Sequence, residues 1–142
     1  MPVYQHVLAA VDFGKHSAKV LQNAAAMAQL CGAELSVLHV VGYPVVTDID
    51  YTIPSVYEVE SKLMELAEKQ LRELLKHEAL NRNVRPIIVS GRAKDEIANT
   101  AEKEKVDLIV IGAHGRHGLA KLLGSTANRV LSQAPCNVLV VR

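Results

Sequence analysis

The residues with chemical potential in this chain gather between positions 106 and 126. The run Leu-Ile-Val-Ile (108–111), after Val106 and Asp107, reads as a buried parallel strand that stops at Gly112. Gly115, Gly118 and Gly124 follow, and Ser125 and Thr126 come directly after Gly124. Glycine has no Cβ to hold a ligand away, so such a loop lets backbone N–H groups approach closely. Gly124-Ser125-Thr126 also opens an amphipathic segment with Ala127, Val130, Leu131 and Ala134 on its apolar face, with Ser125 placed as its N-cap. A helix N-terminus with free amides and two hydroxyls suits a phosphate. The competing reading is a plain strand-to-helix turn. The run is neither a P-loop, since no Gly-Lys-Ser/Thr ends it, nor a G-x-G-x-x-G fingerprint.

A second candidate is Asp12, at the end of the apolar run 3–11, from which its carboxylate can reach a crevice or cap the helix that follows. No residue is an evident catalyst. Rapid phosphoryl transfer needs a positioned water and charge stabilisation, and no Asp-x-Asp phosphatase signature is present because Phe13 and Gly14 follow Asp12. The serine and glycine at 90 and 91 stand where a response regulator would carry its phosphoacceptor aspartate.

Composition narrows the classes further. The 142 residues fit one domain, 1–142, and a net charge of +1 gives no electrostatic case for nucleic acid or an anionic membrane. One Phe, four Tyr and no Trp leave little for stacking single-stranded bases. No apolar run is long enough for a bilayer span, and no signal-peptide pattern opens the sequence, so the expected location is cytoplasmic. The two cysteines, Cys31 and Cys136, form no C-x-x-C and read as buried thiols, while the six histidines show no zinc spacing.

The elements that must position these residues alternate. Strands are expected at 3–11, 34–41, 84–90, 108–111 and 137–141. Helices are expected over 18–30, closed by Gly32, then from 56 to 75, from 93 onward with Ile97, Ala98 and Ala101 inward, and over 124–133. The second helix shows Val56, Val59, Leu63, Leu66, Ala67, Leu71, Leu74 and Leu75 at helical spacing, after a possible Ser55 cap. Pro86 suggests that its strand lies at an edge. Residues 42–54 read as a long loop. The alternation predicts an α/β fold, an open parallel five-stranded sheet with helices on both faces.

Gly112-Ala-His-Gly115, eight residues, then Gly124-Ser125-Thr126 resembles the nucleotide loop of the universal stress protein family. The opening Tyr4-Gln-His-Val-Leu-Ala-Ala-Val-Asp12 and the closing Ala134-Pro-Cys-Asn-Val-Leu-Val-Val-Arg142 are similar to the family's first and last strands. The ATP-binding pattern, Gly-x2-Gly-x9-Gly-Ser/Thr, has one residue more in its second gap than this chain. The resemblance implies a Rossmann-like fold, of the adenine nucleotide alpha hydrolase type, with strand order 3-2-1-4-5. The crevice between strands 1 and 4 then receives ATP or AMP, with Mg²⁺ or Mn²⁺ carried by the nucleotide.

By that pattern Asp12 approaches the adenine or ribose. Ala10 and Val11 flank the base through their backbone, Val40 walls it, and Ile111 is a further nucleotide-binding position. Gly112 passes close to the ribose, and Gly115 and Gly124 present amides to the phosphates. Ser125 and Thr126 add hydroxyls; Arg116 either pairs with a phosphate or points into water, and His114 lies near the phosphates, where a pH-responsive role competes with a structural hydrogen bond. His117 and Lys121 read as solvated, and His39 as a core or rim histidine. The implied protein is a nucleotide-responsive stress-response and signalling homodimer, paired through the edge strand Val138, Leu139, Val140 and Val141, with an unidentified protein partner. A nucleotide-free adaptor of the same fold is the alternative, and a slow ATP hydrolase a third.

Overall fold

In the computed structural model, the structure describes residues 3–42, 56–78, 80, 83–114 and 123–142. Five strands and four helices alternate: β1 (His6–Ala10), α1 (Ser17–Cys31), β2 (Glu34–Val41), α2 (Val56–His77), β3 (Val84–Ser90), α3 (Ala93–Lys103), β4 (Leu108–Gly112), α4 (Ser125–Gln133) and β5 (Asn137–Val141). All neighbouring pairs are parallel, in the order β3-β2-β1-β4-β5. This is the expected fold, and the proline-bearing β3 does lie at an edge.

Strand alternation divides the core in two. Val7, Ala9, Val11, Val37 and Val110 face α1 and α2, against Val20, Leu21, Ala24, Leu71 and Leu75. Leu8, Ala10, Leu38, Ile109 and Ile111 face α3 and α4, against Ile97, Ala101 and Val130. β1 is covered on both faces and every residue of it is buried, which is why it reads as a continuous apolar run. The chain moves one way from β1 through β2 to β3, crosses back, and continues through β4 to β5. The helices after β1 and β4 therefore cover opposite faces, and the strand ends between them open a crevice.

Four local expectations need correction. The first strand starts at His6 rather than at residue 3, and Val3 is 78% exposed. Leu63 and Leu66 on α2 and Leu131 on α4 are exposed, because the buried stripes of these helices run through Ala67, Leu71 and Leu75 and through Ala127 and Val130. The cap of α4 is Gly124, with Ser125 as its first helical residue and no side chain bonded at the cap. Cys31 and Cys136 are free but only half-buried. Gly32 does close α1, in the left-handed conformation (φ 63°), and the Ala33 amide donates back to Ala28 O at 2.8 Å. Ser55 and residues 43–54 of the expected loop lie outside the described residues.

The lower end of the sheet holds polar contacts that no sequence pattern announced. The buried His6 ring has Nε2 2.8 Å from Ser36 Oγ and Nδ1 3.1 Å from Glu104 O. Asp107 accepts the Gln5 and His6 amides at 2.8 and 2.9 Å, which fixes the start of β1 beside β4. Burial pushes the nearby Cys136 thiol above its ordinary range, and the Asp107 charge adds to the rise.

Candidate functional site

The crevice at the upper ends of β1 and β4 is a cleft of about 400 Å³. β1 and the turn after it contribute Ala10, Val11, Asp12 and His16, and α1 contributes Ser17 and Val20. β2 adds Leu38, His39 and Val40, and α3 adds Ala93 and Ile97. The end of β4 brings Ile111, Gly112, Ala113 and His114, and α4 begins at the cleft with Gly124, Ser125, Thr126 and Ala127. An apolar base with polar groups along one end suits a small amphipathic ligand.

Ten of the twelve expected positions thus meet in one cleft: Ala10, Val11, Asp12, Val40, Ile111, Gly112, His114, Gly124, Ser125 and Thr126. Gly115 and Arg116, like His117, Gly118 and Lys121, lie outside the described residues. His16, Ser17, Val20, Leu38, His39, Ala93, Ile97, Ala113 and Ala127 line the cleft without having been singled out as ligand contacts. The helical residues among them belong to core stripes, and only the crossing of the chain brings their ends to the crevice.

The loop after β4 is tied at both ends. Ala113 N–H donates to Val141 O and Gly124 N–H donates to Ala113 O, each at 2.7 Å. The second bond corrects one expectation: the Gly124 amide is spent on closing the loop and is not offered to a ligand. The first intrahelical bond of α4 runs from Asn128 N to Gly124 O, and no side chain caps the end. The amides left without helical partners are those of Ser125, Thr126 and Ala127.

Gly112 has ample room. Among the described residues, a Cβ built there meets only Val20 Cγ2 at 3.5 Å and His114 O at 3.6 Å. The fold itself therefore does not demand glycine at this position, although it forms part of the cleft wall. Gly91 differs, since its φ of 145° and a Cβ only 2.6 Å from Glu96 Cγ make it a structural glycine.

Asp12 is exposed and divides its work. Its Oδ1 accepts the Gly14 amide at 2.8 Å and the Ser17 hydroxyl at 3.4 Å. It steadies the turn into α1, while His16 holds the cap position with no side-chain bond there. The next residue, Phe13, has a positive φ of 62° and stacks on His39 with ring centroids 3.9 Å apart. His39 Nδ1 lies 2.8 Å from Val11 O. That carbonyl can only accept, so Nδ1 carries the proton. His114 Nδ1 is shielded from solvent and has no hydrogen-bond partner.

The strand register opens one further edge. Val11 N donates to Leu38 O at 2.9 Å, so the backbone groups of Leu38 point toward β1. Two residues on, those of Val40 point the same way, beyond the end of β1 at Ala10. The opposite direction of Val41 O, which accepts from Gly91 N on the β3 side, agrees. A donor and an acceptor from one residue are thereby presented at the cleft.

Comparison with known proteins places this architecture. The model of the universal stress protein family matches residues 3–142. Universal stress protein A homolog 1 of Coxiella burnetii is 41% identical over 139 residues, covering 97% of this chain and 96% of the relative. The solved universal stress protein UspA of Lactobacillus plantarum superposes with a TM-score of 0.82 at 29% identity, covering 98% of each chain. A universal stress protein solved in complex with cAMP has a TM-score of 0.65 at 22% identity, covering 98% of this chain and 97% of its own.

Proposed function

The chain belongs to the universal stress protein family, and we propose that it binds an adenine nucleotide, ATP or AMP, in the cleft between β1 and β4. The observation that carries this reading is the convergence on one cleft of Asp12, Val40, Gly112 and the uncapped α4 terminus with Ser125 and Thr126. The Val40 backbone offers the paired donor and acceptor that the edge of adenine requires. The apolar floor of Ala10, Leu38 and Ile111 receives the ring, and Asp12 faces the ribose. The phosphates lie over the amides of Ser125, Thr126 and Ala127, where the helix dipole favours negative charge. Gly112 keeps the wall thin enough for the sugar to pass, and Gly115 and Arg116 complete the phosphate end.

One relative is known in complex with cAMP, a nucleotide of the same class; its distance from this chain makes it a guide to fold, and the reading rests on the cleft itself. Among the described residues no group of three His, Cys, Asp or Glu side chains is placed to hold a metal. Mg²⁺ or Mn²⁺ at this site would arrive on the phosphates. The nucleotide acts by favouring one conformation of a stress-response signalling dimer, built on the β5 edge, which then meets a protein partner. No helix among the described residues is long and apolar enough to cross a membrane, in keeping with a cytoplasmic site of action. A nucleotide-free adaptor is the second reading, favoured by the eight-residue spacing between Gly115 and Gly124.

Calorimetric titration of Mg²⁺-ATP and of AMP into nucleotide-stripped protein separates the two. Micromolar binding is the expected result. Absence of heat with either nucleotide, together with an unchanged melting temperature, would sink the nucleotide reading and leave the adaptor.

A further inference from the structure

Among the described residues, the cleft is lined by one carboxylate, Asp12, and three imidazoles, His16, His39 and His114, with no lysine or arginine. These histidines come from three separate elements: the α1 cap, β2, and the turn after β4. Imidazole is the side chain whose charge ordinarily changes between pH 5 and 8. We propose that nucleotide binding in this cleft is coupled to proton uptake by His114, assisted by His16, so that affinity rises as the pH falls. The proposal rests on the nucleotide reading above and adds regulation to it.

The three rings are not equivalent. His39 spends Nδ1 on Val11 O and stacks on Phe13, so it is committed to the wall. His114 adjoins the glycine-bearing turn, and its Nδ1 is buried without a partner. A buried polar atom left unpaired is unfavourable, and an anion that accepts from its N–H is favoured. His16 stands at the start of α1 with no side-chain bond at the cap. Neither ring must break a bond at these atoms before meeting an anion.

The remaining groups around His114 do not mask the effect. Asp12 from the β1–α1 turn is already engaged by Gly14 N and Ser17 Oγ. α3 and α4 line the cleft with Ala93, Ile97, Ser125, Thr126 and Ala127, none of them charged. Arg92 at the cap of α3 and Arg129 on α4 pair with Asp95 at 3.8 and 3.3 Å. Arginine and lysine keep their charge from pH 6 to 8 and so add no pH dependence of their own in this range.

The sign follows directly. A phosphate beside the ring favours the imidazolium, so the complex holds more protons than the free protein. Affinity is then greatest below the histidine range and falls as pH rises through it. One linked proton makes binding about fivefold or more tighter at pH 6 than at pH 8.

The test is calorimetric titration of ATP in saturating Mg²⁺, near pH 7, in two buffers of different ionisation enthalpy, together with affinities at pH 6 and pH 8. Wild-type protein is expected to take up a fraction of a proton to one proton per nucleotide. His114→Gln should flatten the pH profile, His16→Gln should reduce it, and His77→Gln, on the exposed face of α2, should leave the uptake unchanged. Nucleotide binding with no buffer dependence and equal affinity at both pH values overturns the coupling while leaving the site reading intact. Uptake that survives in the His114→Gln, His16→Gln double variant, or disappears only in His117→Gln, overturns the assignment. No binding at either pH removes the site reading and this inference with it.

Discussion

Gly112 and Gly91 both stand at the upper end of the sheet, yet different constraints act on them. At Gly91 the backbone is in a region closed to side chains, and a methyl group would press on Glu96. Gly91→Ala is expected to cost about 1–3 kcal/mol in urea unfolding. At Gly112 the backbone accepts a methyl group, which would project toward Val20 and the cleft. Gly112→Ala should therefore melt close to wild type while weakening ATP binding by about tenfold or more, roughly 1.4 kcal/mol. Wild-type affinity in that variant would show that the ribose does not pass this wall. A third residue-scale expectation concerns the buried pair at the lower end. Ser36→Ala leaves His6 Nε2 without a partner and should cost about 1–3 kcal/mol by denaturant titration, with nucleotide affinity unaffected.

Helices in this molecule are held by narrow stripes. α2 meets the sheet through Ala67, Leu71 and Leu75, one residue per turn, while Leu66 is 58% exposed. Leu71→Ala is expected to cost about 2–5 kcal/mol, and Leu66→Ala to stay within about 0.5 kcal/mol. Equal losses at the two positions in chemical unfolding would mean that Leu66 is covered in solution. The same stripe logic explains the misjudged leucines. Periodicity alone counted Leu63, Leu66 and Leu131 as inward, because residues flanking a stripe share its spacing and only contact with the sheet distinguishes them.

At the scale of the whole molecule, the two sheet edges differ. β3 carries Pro86 and exposes Arg85, whereas β5 is apolar and its outer side meets no other strand among the described residues. Ala113 N–H donates to Val141 O, so Val141 and Leu139 turn their backbone groups inward to β4. Val138 and Val140 then turn theirs outward. Pairing of two β5 edges about a two-fold axis requires the Val140 N–H, and Val140→Pro removes it without touching the β4 ladder. Light scattering after size exclusion should find a dimer for the native chain and a monomer for this variant. A dimer that survives the proline would place the contact elsewhere.

The sequence by itself determined the elements and much of the cleft. Strands 34–41, 84–90 and 137–141 have their expected limits, because burial on the sheet writes continuous apolar runs between turn residues. Gly112, Gly124, Ser125 and Thr126 were legible as cleft lining because they stand at a strand-to-helix junction, where the end of the sheet opens. Tertiary structure alone decided what stands opposite them. His16, His39, Ala93 and Ile97 look like ordinary residues of caps, strands and core stripes, and they become cleft lining only where the chain reverses direction across the sheet. The spent Gly124 amide, the partnerless His114 Nδ1 and the free Val40 edge are likewise consequences of register and closure. Hydrogen-bond partners far apart in the chain leave no mark in local pattern, so those features exist only in the folded molecule.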